Sequence, residues 1–380
     1  MAAQPLDSSP ICKQISEFHA TLRDDFPGVV RVAVALYDAA ADRLRTFAHS
    51  TEGETPLAHY EVALADMPCL RELASTGRPR IIDDLTEGVD CEREHNRRIL
   101  SQGYRSSFTV PFFEDGRLNG FLFFNAAERC YFSPEVARRL AVYASLASLL
   151  VLRGLAPVRV LRSAVRVTQE IGHIRDAETG AHLERMSRFS KTIATGIAES
   201  EGLTDEDVEF ISLFAPLHDI GKIGIPDSIL LKPGTLSRSE LAVMRSHVSK
   251  GSSLVATLLR RFGLDDAPHV GRLRSIVRHH HECVDGSGYP DGLSGEAIPV
   301  DARIVATADV FDALTSERPY KPAWSNDTAF EFLETWAGRH LDARCVHALV
   351  ENRDRVAAIQ RRFREPRHDL GSHDGYSAEL

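Results

Sequence analysis

The pattern of apolar and polar positions predicts strands in the first 150 residues and helices in most of the remainder. Residues 29–37 are rich in valine and alanine and carry the β-branched side chains of a strand. Two further apolar runs, residues 107–113 and 118–125, flank Asp115-Gly116. This pair predicts a hairpin, because the turn requires positive φ. Residues 79–85 predict one more short strand, so the first half is expected to be a mixed α/β domain.

A helical pattern begins at Ser133, where Ser133-Pro134-Glu135 provides a cap and a proline in the first turn. Apolar positions then recur at alternating steps of four and three, at Val136, Leu140, Tyr143, Ala147 and Leu150. Pro157 is expected to end or kink this helix, and the spacing resumes from Val158 to Thr168. Two interpretations stay open: a connector that pairs with a second copy as a parallel dimer, or an amphipathic helix packed on its own domain.

Beyond residue 160 the chain is mostly helix-periodic. Residues 227–237 contain Pro233-Gly234 and are expected to form a loop between helices. We therefore expect a first domain over residues 1–150, with a helical connector at about 133–172, and an all-helical domain over residues 160–363. Residues 364–380 are predicted to be a polar tail.

Composition narrows the possible functions. The net charge of −9 over 380 residues argues against broad binding of long nucleic acid, which requires a basic surface. The six cysteines are scattered without a C-x-x-C pair, so neither a zinc knuckle nor a disulfide framework is indicated. The N-terminus does not resemble a signal peptide, and the apolar stretch of residues 140–155 is interrupted and too short to span a bilayer. A cytoplasmic protein without membrane insertion is expected.

Histidine and acidic residues suggest the chemistry. Eight of the sixteen histidines lie between residues 173 and 281. Glu178 and His182 are four residues apart, so on a helix they face the same side and could hold one ion. His218 and Asp219 are adjacent, after apolar residues that suggest a buried helix ended by Gly221.

Three more positions extend this pattern: His247, the run of residues 279–281, and Asp309 on an apolar helix. Buried ionisable groups are costly unless they are paired or bind metal, which predicts a metal site. Nitrogen and oxygen ligands without thiolate favour iron, manganese or another borderline metal over structural zinc. A carboxylate such as Asp219 can bridge two ions roughly 3.5–4 Å apart, an arrangement typical of phosphoester hydrolysis.

Four motifs in this half resemble the HD-GYP family, a branch of the HD superfamily of metal-dependent phosphohydrolases. They are RDAETGAHLER (175–185), APLHDIGKIGIPDSILLKPGTLS (215–237), HHHECVDGSGYPDGLSGEAIP (279–299) and ARIVATADVFDALTSERPYKPA (302–323). The resemblance implies an all-α domain with a two-metal centre in which Asp219 is the bridging ligand. The implied ligands are His218, Asp219, His247, His280, His281 and Asp309.

The resemblance implies further roles around this centre. Glu178 and His182 match positions that let some members hold a third ion, so two or three divalent ions, most simply iron or manganese, are expected. Lys222 would face a substrate phosphate or protonate the leaving oxygen, with Asp176 orienting it. His279 matches no ligand of the family and is interpreted as a bystander.

A loop and two cations are the implied substrate contacts. Gly288-Tyr289-Pro290 gives the family its name; glycine permits a turn, proline stiffens it, and the tyrosine offers a ring to the ligand. Arg318 and Lys321 would meet the phosphates. Cys283 and Val284 replace the basic and aromatic residues usual in the family, and residues 338–346 also depart from its pattern; these changes bear on substrate fit.

The first half resembles a GAF domain, a small-molecule or partner-sensing module. The residues that carry this resemblance are SSFTVPFFEDGRLNGFLFFNA (106–126) and RPRIIDDL (78–85). It implies an antiparallel sheet with flanking helices and a small ligand of unknown identity. A generic α/β domain that mediates dimerisation remains the alternative, because His19, His49, His59 and His95 are scattered and identify no ligand.

The sequence thus predicts a two-domain chain, GAF-like and then HD-GYP, that forms a homodimer and hydrolyses a cyclic dinucleotide such as cyclic di-GMP to linear pGpG, GMP or both. Control by the GAF-like domain is expected. Two alternatives remain: a cyclic GMP-AMP phosphodiesterase, and a cyclic dinucleotide receptor or interaction module with little turnover.

Overall fold

The computed structural model describes residues 10–51, 57–87, 94–172, 180–265, 267, 269–317 and 323–364. Its first half combines an antiparallel sheet with helices, and its second half is helical, which confirms the predicted fold class. The strands are β1 (Val29–Asp38), β2 (Arg43–Thr51), β3 (Glu61–Ala63), β4 (Arg80–Ile82), β5 (Ser106–Glu114) and β6 (Arg117–Ala126). The helices of this half are α1 (Pro10–Asp25), α2 (Pro68–Thr76), α3 (Glu94–Ser101) and α4 (Pro134–Gly172).

The sheet has the strand order β3-β2-β1-β6-β5-β4, and every neighbouring pair is antiparallel. The predicted hairpin is β5–β6, with Glu114 opposite Arg117. Asp115 and Gly116 between them have φ of 51° and 74°, so both central residues of the turn adopt the predicted positive φ. The short strand predicted at residues 79–85 is β4.

Alternating side chains of the sheet reach two different cores. Val34 and Phe124 point to the face covered by α1 and α4, where Leu140 is fully buried. Ala35 and Phe121 point to the opposite face and pack with residues of α2 such as Leu70. Because both faces of the sheet are covered, β1 and β6, at its centre, carry apolar residues on both sides.

The apolar seam of helix α4 packs on its own domain, as the second of the two interpretations expects. Leu140 and Ala147 of that seam are fully buried within the helix's own domain. A different stripe, Val142, Leu146 and Leu149, is 51–62% exposed. The seam detected in the sequence therefore packs within the chain, and it provides no evidence for a dimer.

Pro157 was expected to end or kink α4, and the helix does not end there. It continues to Gly172, because buried Leu155 and Val158 anchor the turns on both sides of the proline. Within Pro134–Val160, an 18-residue window is long and apolar enough to span a bilayer, by length and composition only, and 28% of that window is buried. The interruption at Arg153-Gly154 does not break the helix, so the apolar stretch is longer than the sequence suggested.

The second half is formed by short helices around a common core. These are α5 (Gly180–Glu201), α6 (Asp205–Phe214), α7 (Asp227–Leu230), α8 (Arg238–Arg245), α9 (His247–Phe262), α10 (Val270–His279), α11 (Val300–Thr315), α12 (Asn326–Trp336), α13 (Ala343–Glu351) and α14 (Arg353–Arg362). Residues 227–237 are not all loop, since their first four form α7. The predicted tail lies outside the described residues from position 365 onward.

The two halves meet through buried charges. Arg45 of β2 contacts Asp38 at 2.5 Å and Glu209 of α6 at 3.1 Å, and Asp38 also pairs with Arg188 of α5. Lys191 of α5 contacts Glu209 at 2.5 Å. These side chains are nearly buried, and the pairs Arg45–Glu209 and Arg188–Asp38 join the two halves.

A second contact joins α1 to the helical half. The carboxylate of Glu206 in α6 is fully buried and accepts hydrogen bonds from the backbone N–H of Cys12 at 3.0 Å and of Ile11 at 3.4 Å. His269 Nε2 lies 2.7 Å from the same carboxylate. Helix α6 is thus held by both β2 and the start of α1.

Replacing Arg45 with methionine is expected to lower the free energy of unfolding by about 1–3 kcal/mol, and with it the melting temperature. The substitution leaves Asp38 and Glu209 buried with fewer compensating groups. Arg43→Met is the matched control, because Arg43 is half-exposed and lies 3.7 Å from Glu61. The control substitution should lower the free energy of unfolding by less than about 1 kcal/mol. Equal effects in a thermal melt would contradict the assignment of Arg45 to a buried network.

Candidate metal centre

His218 and Asp219 lie between two short 3₁₀ helices, Ala215–Leu217 and Ile220–Gly224. The prediction that an α-helix carries them was wrong. Helix α6 ends at Phe214, and Pro216 cannot continue its hydrogen bonding because it has no N–H. Gly221 does not end a helix either. A Cβ at this position would lie 1.9 Å from the carbonyl oxygen of His247, so glycine allows the segment to lie against α9.

Asp219 is the centre of a first group of ligands. Its Oδ1 lies 3.1 Å from His247 Nε2 and 3.5 Å from His280 Nε2. His247 is the first residue of α9, and His280 and His281 follow the end of α10. Together with His281, these residues place one ligand atom each within 4.8 Å of the others. Two separate segments therefore converge on the carboxylate of Asp219.

A second group adjoins the first and consists of His182, His218 and Asp309. His218 Nε2 lies 3.7 Å from Asp309 Oδ1 and 3.3 Å from Asp219 Oδ2. The two oxygens of Asp219 thus face different groups. This is the geometry that a bridging carboxylate requires.

The three buried histidines nearest Asp219 are oriented by the backbone. Nδ1 of His218, His247 and His280 lies 2.8–2.9 Å from the carbonyl oxygens of Ala215, Met244 and Ile276, respectively. An Nδ1–H donated to a carbonyl leaves the Nε2 lone pair directed into the cluster. Each of these Nε2 atoms is buried and has no hydrogen-bond partner among the described residues. Such a donor set fits divalent cations.

The charges of the cluster also favour a cation. Burial by itself would raise the pKa of Asp219, but Lys222 and His218 outweigh it and hold that pKa well below its ordinary range. Burial would lower the pKa of His218, whereas the carboxylates of Asp219 and Asp309 raise it well above the ordinary value. For His281 burial dominates and lowers the pKa to about 3, so this imidazole stays neutral and able to ligate.

Asp312 supports the second group, and sequence reasoning did not identify it. Its carboxylate lies 2.8 Å from His182 Nδ1 and accepts two hydrogen bonds from Arg185, at 2.5 and 2.9 Å. Asp312 is buried on α11, one helical turn after Asp309. The spacing of three residues on an apolar helix was the available signal. A carboxylate behind a ligating histidine fixes its ring and tautomer.

Asp312→Asn is expected to lower metal affinity at the group of His182, His218 and Asp309 by about 10–100-fold, because the amide no longer provides a charged acceptor for His182. Metal content after dialysis against graded chelator measures this loss. Asp291→Asn is a matched control, since Asp291 also pairs with an arginine and a histidine, Arg278 and His279, but at an exposed position. Equal metal loss in both variants would contradict the role of Asp312.

Lys222 lies at the edge of the cluster. Its Nζ is 2.7 Å from Asp219 Oδ2, and the side chain is partly exposed. The 3₁₀ helix that follows Asp219 brings this lysine back to the carboxylate three positions earlier.

The Gly288-Tyr289-Pro290 loop packs over His281. The rings of Tyr289 and His281 are stacked at 4.8 Å, and the guanidinium of Arg245 lies 4.9 Å from the centre of the tyrosine ring. Gly288 lies against backbone, because a Cβ there would be 2.5 Å from Glu282 Cα. Arg245 was not identified from the sequence, since nothing near it in the chain marks it as part of this loop's surroundings.

Glu282 holds the same loop in place. Its buried carboxylate accepts hydrogen bonds from the backbone N–H of Asp291 at 2.7 Å and of Leu293 at 3.0 Å. Glu282, which follows the histidine run, therefore stabilises the loop and belongs to neither ligand group. His279 lies outside both groups, with Nε2 3.1 Å from Asp291.

Four other predicted site residues, Asp176, Glu178, Arg318 and Lys321, lie outside the described residues. Their roles remain predictions.

Comparison with known proteins identifies the helical half. Residues 176–345 match the family model described as HD domain. Over this segment the chain is similar to the HD family. The chain is 51% identical over 189 residues to the cyclic di-GMP phosphodiesterase response regulator RpfG of Xanthomonas campestris pv. campestris, covering 50% of this chain and 47% of that protein. It is 40% identical over 186 residues to 3'3'-cGAMP-specific phosphodiesterase 2 of Vibrio cholerae, covering 49% of this chain and 34% of that protein.

The chain spans about half the length, or less, of these curated relatives. Among solved structures, the chain is similar to a GAF domain/HD domain protein from Geobacter sulfurreducens, with 15% identity and a TM-score of 0.32 over 40% of this chain and 97% of that one.

Proposed function

We propose that the chain is a metal-dependent phosphodiesterase that hydrolyses cyclic di-GMP to linear pGpG, GMP or both. The observation that carries this proposal is the convergence of buried imidazoles and carboxylates on Asp219, beside the ammonium of Lys222. The similarity to proteins named for cyclic di-GMP hydrolysis supports the substrate class. In this proposal residues 160–363 are the hydrolase domain and residues 1–150 a GAF-like sensor.

The proposed cofactors are two or three divalent ions, iron or manganese, since the donors are nitrogen and oxygen. Two ions would be held by His218, Asp219, His247, His280, His281 and Asp309. His182, with Glu178, would extend the site to a third ion. Such ions supply a water activated for attack and neutralise charge on the phosphate.

The residues of the chain position the reacting groups. The low pKa of Asp219 keeps its carboxylate ionised, and its two oxygens reach both ligand groups. Lys222 stays within 2.7 Å of that carboxylate, where its ammonium can donate a proton to the leaving oxygen. Asp176 is proposed to orient this lysine.

Substrate contacts are proposed on the side of the cluster that Tyr289 covers. The aromatic ring offers a stacking surface for a base, and Arg245 beside it offers a cation to a phosphate. Arg318 and Lys321 are proposed as further phosphate contacts. Gly288 and Pro290 give the loop its shape around Tyr289.

A cyclic GMP-AMP dinucleotide is the second candidate substrate. The similarity to proteins named as 3'3'-cGAMP-specific phosphodiesterases favours it alongside cyclic di-GMP. A receptor or interaction module with little turnover is the third candidate. A receptor does not require ligands that reach both oxygens of Asp219, so the arrangement of the ligands favours the enzyme.

Control by the GAF-like half is proposed to act through α6. This helix is bound by Arg45 through Glu209 and by the start of α1 through Glu206, and it ends four residues before His218. A small ligand of the GAF-like half that moved β2 or α1 would therefore act on the segment that carries His218 and Asp219. A homodimer and a cytoplasmic location are also proposed.

The test is incubation of anaerobically purified protein, loaded with iron or manganese, with cyclic di-GMP, cyclic GMP-AMP and cyclic di-AMP separately. Chromatography of the nucleotides should detect pGpG or GMP from cyclic di-GMP. Absence of product from folded, metal-loaded protein would contradict the enzymatic proposal. Faster turnover of cyclic GMP-AMP would reassign the substrate and leave the chemistry intact.

A further inference from the structure

A second set of metal-ligating side chains lies outside the histidine cluster. It consists of Cys283, Asp285 and His340, which place one ligand atom each within 4.8 Å of the others. Cys283 and His340 are half-buried, and Cys283 forms no disulfide. The set therefore combines sulfur, oxygen and nitrogen donors, unlike the ligand groups around Asp219.

The backbone holds the two contributing segments together. Val284 N donates a hydrogen bond to the carbonyl oxygen of His340 at 3.2 Å, and Asp285 N donates one to the carbonyl oxygen of Arg339 at 2.7 Å. Gly286 N donates to the carbonyl oxygen of Cys283 at 2.8 Å, which closes the turn that carries both loop ligands. The three ligands are thus placed by bonds that do not involve their side chains.

The side chains leave donor atoms directed at one another. Asp285 Oδ1 accepts hydrogen bonds from the N–H and the hydroxyl of Ser287, at 2.9 and 2.6 Å. Its second oxygen, Oδ2, faces His340 Nδ1 at 3.6 Å, which is longer than a normal hydrogen bond. The ring of Trp336 packs 4.7 Å from that of His340 and restricts its rotation.

We propose that Cys283, Asp285 and His340 bind one thiophilic divalent cation of the Zn²⁺ class. Three protein ligands with a thiolate among them match a tetrahedral ion that keeps one position open to solvent. Sulfur separates this site chemically from the iron- or manganese-type ligands around Asp219. The bound ion ties the segment that leads from His281 to Tyr289 to the turn between α12 and α13.

The test is a titration of the full-length protein with Co²⁺, followed by thiolate-to-cobalt charge-transfer absorption. The histidine cluster has no sulfur ligand and contributes nothing to this band, whatever ions it holds. We expect the band to saturate at one equivalent of thiolate-bound cobalt. Cys283→Ser should abolish it, and His340→Gln should weaken binding by at least about tenfold. Cys69→Ser, which removes an exposed cysteine of α2, should leave it unchanged.

Three results would overturn the proposal. They are absence of the band from the wild type, a band that survives Cys283→Ser, and a band that is lost in Cys69→Ser. Unchanged affinity in His340→Gln would also overturn it, because binding would then be that of a surface thiol without the other ligands. Circular dichroism of each variant verifies that it is folded. None of these readouts depends on turnover.

Discussion

Asp219→Asn is expected to lower turnover of cyclic di-GMP by at least about 10³-fold, because it removes the charge that both ligand groups share. The amide has the same size as the carboxylate, but only one of its two polar atoms accepts. It therefore cannot face His247 and His280 with one oxygen and His218 with the other. Product formation and metal content are both measured, and we expect the two to fall together.

Asp301→Asn is the matched control for this substitution. Asp301 is also a buried carboxylate of the helical half and pairs with Arg272, but it lies outside both ligand groups. Asp301→Asn therefore measures the general effect of neutralising a buried, paired carboxylate of this half. Turnover that fell equally in the two variants would assign the effect to folding and would contradict the role of Asp219.

Lys222→Met is expected to reduce turnover by about 10²–10⁴-fold while metal content stays the same or rises. The substitution removes the proposed proton donor but no ligand. Without the ammonium at 2.7 Å, the carboxylate of Asp219 has one competing cation fewer, so its affinity for metal should not fall. Turnover by chromatography and metal content by elemental analysis separate these two effects.

Lys250→Met serves as the control for the lysine. Lys250 is an exposed lysine nearby whose Nζ donates a hydrogen bond to the carbonyl oxygen of Gly224 at 2.6 Å. It contacts the segment that follows Lys222 but does not reach Asp219. Loss of metal in Lys222→Met, or equal losses of turnover in both lysine variants, would refute the role of Lys222 as a proton donor.

Local patterns predicted the local structure of this chain well. Asp115-Gly116 between two apolar runs specifies a hairpin through backbone conformation alone, and that hairpin is present as predicted. The α4 seam was also real, but a periodic pattern does not identify the surface on which a helix packs. The seam of α4 packs on the core that α1 and the sheet form. The exposed stripe that includes Val142 lies on another face of the helix.

The ligands of the centre were predictable because each is a costly residue in an apolar setting, and because the motifs containing them resemble a known family. The residues that orient these ligands and the neighbouring loop were not predictable. Asp312 orients His182 from α11, and Glu282 fixes the loop of Tyr289 through backbone N–H groups. Both roles depend on which segments meet in space. The spacing from Asp309 places Asp312 on the same side of α11, but it does not indicate that His182 lies opposite.

The contact between the two halves could not be predicted from the sequence, for the same reason. Nothing in the sequence marks Glu206 and Glu209 as partners of the first half. In the fold they are buried against α1 and Arg45, which come from the first fifty residues. Pairing across such a distance in sequence requires the tertiary structure.

Metal content, measured ion by ion on protein purified without exposure to air, tests the central claim most directly. If the imidazoles and carboxylates around Asp219 form a centre for divalent cations, the wild type should contain at least two iron or manganese ions per chain. Asp219→Asn should lose them, while Asp301→Asn keeps them. A folded wild-type protein that retains one ion or none in metal-replete medium would contradict the account.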